Sequence, residues 1–306
     1  MPAGIINTGS HPKALWPGVH DWWGQIFAEH PPEYTDLFDI ETSDKASEED
    51  VQVTGFGQAP VKPEGQPLAY DSEVQGVVTR YMHIAYALGY IVTYEELQDN
   101  LYAEVSNRRA TANAFSMHQT VETVCAFLYN NAFASTYFTT GDGVALISAS
   151  HVKATGGTYS NALTPSADLS EQALEDVCVQ IMNAENDRGL KIALMPESLH
   201  VSTNEWFNAN RILKSVLQSD TANNSINVLK ATNAFPKGIK VNHYFTLPSS
   251  WFVRTNCPQG MTMFWRQQPD LQQDNDFATR NAQALSYMRF SVGCTDPRGI
   301  FGSYRP

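Results

Sequence analysis

Ser150 and His151 most invite a catalytic reading: a hydroxyl beside an imidazole, in a stretch rich in Gly, Thr and Ser. Nucleophilic catalysis needs the base to face the hydroxyl and a carboxylate to orient the base. Side chains adjacent in sequence rarely meet, so His151 reads as a loop residue. The eight histidines, at 11, 20, 30, 83, 118, 151, 200 and 243, are dispersed, and His118 reads as a lone ring with no ligand one helical turn away. Gly141-Asp142-Gly143 lacks the alternating carboxylates of a calcium loop and reads as a turn. Cys125, Cys178, Cys257 and Cys294 lie far apart, without a Cys-x-x-Cys pair or a histidine at metal-ligand spacing. Buried free thiols of a reducing compartment are expected. Nucleophile elbows, phosphate loops, dinucleotide turns and zinc-protease pairs are all missing from the sequence. No catalytic residue, metal or cofactor is expected.

The residues that stand out instead suit contact. Trp22 and Trp23 adjoin in a Pro- and Gly-containing segment with Trp16 and Phe27, and so much aromatic surface is costly to leave in water. The expectation is that Trp16, Trp22, Trp23 and Phe27 lie on a neighbouring subunit. With 17% charged residues, below the roughly 25% of ordinary soluble domains, and 11% aromatics, the surface fits extensive protein contact. The net charge of −12 argues against a dedicated nucleic-acid binder, since phosphate binding is driven by Lys and Arg. It fits a container wall that does not grip the polymer inside. No window approaches the ~18 apolar residues of a membrane span, and the N-terminus has no signal-peptide pattern, so cytoplasmic synthesis is expected.

These residues need elements to carry them. Residues 1–36 cannot form a core and read as an arm, with a short helix near 21–28. Residues 37–80 read as a long two-stranded excursion: Val51 and Val53 alternate on one strand, and Val74 and Val77 lie opposite. Gly55, Gly57, Pro60, Pro63, Gly65 and Pro67 break the tip, which carries Phe56 and Lys62. A lone ribbon is marginal in water, so Val51, Val53, Phe56, Lys62, Val74 and Val77 are expected to touch an adjacent subunit. From Tyr90 to Thr140 there is no Gly or Pro, and Thr93 to Glu96 forms a capping box, which predicts a helix over about 94–130 inside a unit spanning 81–164. Residues 165–260 read as a mixed α+β unit. Its expected parts are a helix started by Asp168 and stopped by Gly189, strands at 191–194 and 199–201, a helix from Trp206 to Leu217, and strands at 239–245 and 251–254. Residues 261–306 return to the first unit, with Met288, Phe290 and Val292 alternating in a strand.

The order of arm, hairpin, long helix, inserted α+β unit and returning strand resembles the Hong Kong 97 type capsid fold of tailed phages. The stretches GDGVALISASHVKATGGTYSNAL, ADLSEQALEDVCVQIMNAENDRGLKIALMPESLHV and DFATRNAQALSYMRFSVGCTDPRGIFGS are similar to the major head subunits of Mu-like phages. The resemblance implies an α+β fold with N-terminal arm, extended loop, peripheral domain with a spine helix, and axial domain. It further implies a non-enzymatic subunit in the virion that assembles with itself as hexamers and pentamers around double-stranded DNA. A portal protein and decoration proteins would be partners. Because the arm starts almost at Met1, a separate scaffolding protein is expected. In crosslinking relatives a Lys joins an Asn; Lys62 is the candidate here. An encapsulin-like nanocompartment of the same fold, packaging a cargo enzyme, and a soluble hydrolase are the alternatives.

Overall fold

The computed structural model describes residues 16–95, 102–218, 225–276 and 278–305, with the backbone alone at 16–22 and 102–107. Helix α1 (Trp16–Glu29) and the single turn α2 (Tyr34–Leu37) lead into β1 (Asp39–Thr42). A ribbon of β2 (Ser47–Val53) and β3 (Gln75–Met82) follows, then β4 (Ile84–Val92) and the long helix α3 (Tyr102–Asn130). After the short pair β5 (His151–Val152) and β6 (Thr158–Tyr159) come α4 (Glu171–Met182), β7 (Pro196–Ser202), α5 (Trp206–Lys214), the turn α6 (Val228–Ala231), β8 (Gly238–Asn242) and β9 (Trp251–Thr255). Strands β10 (Met261–Asn275), β11 (Ala282–Cys294) and β12 (Ile300–Ser303) close the chain. Among the described residues, no helix is long and apolar enough to cross a membrane.

Helix α3 spans about 43 Å at 1.5 Å per residue. Residues 94 and 95 are helical as well, and 96–101 lie outside the described residues. Ala110, Ala114, Met117, Val121, Cys125, Leu128 and Tyr129 recur at helical spacing and are buried, so one stripe of α3 faces the sheet ordered β1-β10-β11-β4. Small residues come first in that stripe and large ones later. Strand β11 alternates as its sequence foretold, with Ala284, Met288 and Phe290 in the core and Leu285 outside.

The second sheet, ordered β12-β9-β7-β8, has a core on each face. Trp251 and Val253 of β9 and Leu199 and Val201 of β7 pack with Leu174, Val177 and Ile181 of α4 and Ala209 of α5. Phe252 points the other way, into the first core, where it meets Tyr129 edge-on at 5.2 Å and stacks on Phe133 at 5.6 Å. The period-two geometry of one strand thereby joins the two cores. On that same face Arg254 bonds Asp36 O at 3.1 Å and the Asp39 carboxylate at 2.7 Å, fixing the entry to β1.

Several sequence expectations move. Helix α1 is longer than 21–28. Helix α4 is capped by the Ser170 hydroxyl, which accepts from Ala173 N–H, and ends at Asn183; Asp168 and Gly189 lie outside it. Pro196 begins β7 instead of interrupting a strand pair, and Leu217 lies beyond α5. Strands β4 and β10 were not foreseen.

Candidate assembly surfaces

The β2–β3 ribbon leaves the body as an antiparallel pair, with Val51 opposite Val78 and not Val77, and Val53 opposite Gln75 after a register shift. The acidic run Glu48-Glu49-Asp50 belongs to β2 itself. The ribbon's root is fastened by polar contacts: Thr295 donates to Asp50 at 3.0 Å and shares a 2.6 Å bond with the Tyr81 hydroxyl. Tyr81 lies edge-on to Phe264 at 4.9 Å and so close to Gly293 that a Cβ there would stand 2.7 Å from the ring.

Beyond the root the ribbon is open. Val51, Val53 and Val74 are 43%, 54% and 49% exposed, Phe56 is exposed, and Lys62 sits at the exposed tip. Val77 is different: half-buried, it packs on Gly141, where a Cβ would meet Val77 Cγ1 at 2.3 Å. The tip adds Val61, Leu68 and Tyr70, with Val61 and Tyr70 93% exposed. Among the described residues none covers these side chains, and this much apolar surface invites association.

The aromatic segment behaves otherwise. Trp23 is only 3% exposed, in the chain's own core, donating from Nε1 to Asn113 Oδ1 at 2.9 Å and stacking on Phe27 at 5.4 Å. The expectation that Trp23 lies on a neighbour is therefore corrected. Helix α1 is amphipathic and α3 supplies the partner surface that the segment lacks by itself. Phe27 is half-buried against His118, while the side chains of Trp16 and Trp22 lie outside the described residues.

The catalytic reading of Ser150-His151 fails on geometry. His151 is fully buried, its Nδ1 2.7 Å from Asp142 Oδ2 and its Nε2 3.1 Å from Asn161 Oδ1, so neither ring nitrogen serves Ser150. His151 is thus a core residue of β5 and not a loop histidine, and Asp142 does more than make a turn. Burial alone would raise the Asp142 carboxyl, but bonds from His151, Thr140 and Val144 win and hold it at about 2. Asn161 locks the region, its amide donating to the carbonyls of Leu146, Pro297 and Ile300.

His118 has a partner that the sequence reading passed over, although the i, i+4 spacing was visible. Glu122 lies 3.8 Å from its Nε2, and both side chains are buried. Glu122 accepts the Glu33 N–H at 2.8 Å, and burial pushes its carboxyl up to about 7, with the charges of Glu33 and Asp36 adding to the effect. All four thiols are free and buried. Among the described residues no cluster of three or more His, Cys, Asp or Glu could hold a metal.

A family model described as phage capsid protein matches residues 77–303. The chain belongs to that family. Solved structures of particles and capsids share its fold. It is similar to the virus-like particle from Pyrococcus furiosus at 12% identity, covering 94% of this chain and 99% of that one, with a TM-score of 0.53. The capsid of the cyanophage P-SCSP1u matches at 11% identity over 89% of this chain and 87% of that one, TM-score 0.53. The procapsid of bacteriophage JBD30 matches at 13% identity over 98% and 77%, TM-score 0.53. No curated protein matches in sequence. At such identities the likeness is one of fold, the Hong Kong 97 type capsid fold. Together with the family match it identifies a major capsid protein and favours neither the nanocompartment nor the hydrolase.

Proposed function

We propose that this capsid protein builds an icosahedral shell of hexamers and pentamers around the double-stranded DNA of a tailed phage, without catalytic chemistry of its own. Portal, separate scaffold and decoration proteins are its further partners, and host cytoplasm its place of synthesis. On this reading 1–36 form the arm and 37–80 the extended loop. Residues 81–164 and 261–306 make the peripheral domain, and 165–260 the axial domain. The observation that carries it is the β2–β3 ribbon and its tip, whose apolar side chains, Val51, Val53, Phe56, Val61, Leu68, Tyr70 and Val74, are exposed among the described residues. A neighbouring copy supplies their cover, and in closed symmetry each subunit is donor and acceptor at once. The acidic balance leaves DNA enclosed and not gripped.

Deleting Gly57–Gln66 and closing the gap with a tight turn tests it. The subunit should keep its circular dichroism and melting, while electron microscopy shows no particles or aberrant ones. Normal particles would reject the loop as an assembly element.

A further inference from the structure

The loop that reaches outward is also tied to its own chain. Arg188, in the turn after α4, donates from Nη1 to Asp71 Oδ2 at 2.7 Å and from Nη2 to the Ser72 carbonyl. Asp71 Oδ2 also accepts the Gly57 N–H at 2.7 Å, and Asp71 Oδ1 accepts the Ser72 N–H at 2.8 Å. One guanidinium therefore gathers both sides of the loop just beyond the last strand pairs. The turn that presents it is rigid. Asn186 Oδ1 accepts from the N–H of Arg188 and of Leu190, both at 2.9 Å, and Gly189 supplies the positive φ of 78° that closes the turn. The preceding residue bolts the turn inward, since Asp187 pairs with Arg298 at 2.5 Å and accepts the Ala154 N–H at 3.0 Å, both carboxylate and guanidinium being buried.

We infer that Arg188 is a latch that holds the extended loop on its own subunit and fixes the angle at which the loop leaves it, ready to dock on a neighbour; the docking half rests on the function proposed above. Beneath the loop's root lies a cavity of about 360 Å³, lined by Val51–Thr54 on one side and Asp187, Ile192, Leu194 and Cys257 on the other. Without the latch the loop has room to swing. The latch hides nothing, because Phe56, Val61, Leu68 and Tyr70 remain exposed with it closed. Its role is direction, and a loop already aimed gives up less conformational freedom on docking. The bonds from Gly57, Arg188 and Ser72 hold the Asp71 carboxyl down at about 2, so the latch stays charged throughout the neutral and mildly acid range. It is partly solvent-exposed and therefore weakens at high salt.

Hydrogen exchange on subunits kept below assembly concentration tests the latch. The reporters are the amides of Thr54 and Val74, which are bonded to each other across the loop and not to Asp71. Arg188→Ala should speed their exchange on the order of tenfold, as expected for losing a charge-assisted two-point bond, with unchanged melting. Arg188→Lys, a point charge without the fork, should fall between. Asp71→Ala should match Arg188→Ala, and the double variant should be no faster than either, the signature of a shared contact. If Arg188→Ala unfolds its own turn, Asp71→Ala, which leaves that turn intact, decides. Unchanged exchange in Asp71→Ala, or additive effects in the double variant, would overturn the latch. Faster exchange with shells of unchanged yield and uniformity would keep the tether and overturn its aiming role. Normal shells from the Gly57–Gln66 deletion would instead sink the docking reading and leave the free-subunit result standing.

Discussion

Glu122→Gln should stabilise the subunit in alkaline solution and leave it unchanged in acid. Glu122 is fully buried on α3 beneath the junction of α1 and α2, with Oε1 accepting the Glu33 N–H and the Tyr34 N–H also turned to the carboxylate. The charged and titratable groups around it offer little relief. Glu33 is turned to His243 at 2.5 Å, Asp36 pairs with Lys240 at 2.8 Å, and Tyr34, Cys125, Tyr244 and His30 complete the surroundings. His118 is the nearest ring, but burial lowers its own pKa, so it resists charging. Burial raises the Glu122 carboxyl from 4.5 to about 7. In that window the folded state holds a proton that the unfolded state has lost, so stability falls as pH rises from about 4.5 to about 7 and stays low above it.

A shift of this size corresponds to about 3 kcal/mol at 1.36 kcal/mol per unit, and solvent screening reduces it to about 2 kcal/mol. For a chain of this length that is about 4 °C in Tm. Glutamine keeps the acceptor for Glu33 and removes the charge. The difference in melting temperature between variant and parent, followed by scanning fluorimetry from pH 4.5 to 8.5, should therefore open from near zero at the acid end to its full value just above pH 7, with half of it reached at about pH 6. Subtraction removes the contribution of His118, which acts in the opposite sense below its ordinary pKa. A pH-independent offset, or a variant weakened most in alkali, would refute the reasoning.

Trp23→Ala should cost the free subunit about 3–5 kcal/mol in urea unfolding, because a full aromatic side chain leaves the core and Asn113 loses its indole donor; a stable free subunit with a weakened shell would return Trp23 to the interface. Arg298→Met should destabilise by about 3–5 kcal/mol, since it strands the carboxylates of Asp187 and Asp296 and removes the guanidinium 4.1 Å over the Tyr159 ring; calorimetry of the free subunit checks this.

What the sequence disclosed depended on which period its side chains followed. Helix α3 and strand β11 were legible because one face of each is buried and the other is not, which writes the period into residue types. Strand β10 was hidden for the opposite reason. Its first half, Met-Thr-Met-Phe-Trp, is buried on both faces and shows no alternation, and its second half, Gln-Gln-Pro-Asp, reads as a loop until β11 pairs with it. The aromatic segment was legible as contact surface but not as whose. Trp23 finds Asn113 ninety residues on, and nothing local distinguishes that partner from one on another chain. Gly189 was read as the stop of a helix that in fact ends at Met182; that the arginine of the turn it closes reaches Asp71 is a fact of tertiary structure alone.

The two-faced sheet bears on where a shell subunit can give way. Rotating the second core against the first would pull Phe252 from Tyr129, Phe133 and Phe245 while Trp251 and Val253, on the same strand, stayed fixed among α4 and α5. Closely packed interiors resist such partial movement, since even small gaps forfeit contact energy. The β2–β3 ribbon carries little such penalty beyond its root: it is fastened at Asp50, Tyr81 and Thr295, rests on Gly141 through Val77, is tied once more at Arg188, and joins no core cluster of the described residues beyond that. On the function proposed above, subunits that fit hexamers and pentamers alike have one inexpensive place to differ, the loop beyond its Thr295 root. The body behind it can stay the same in every position of the shell.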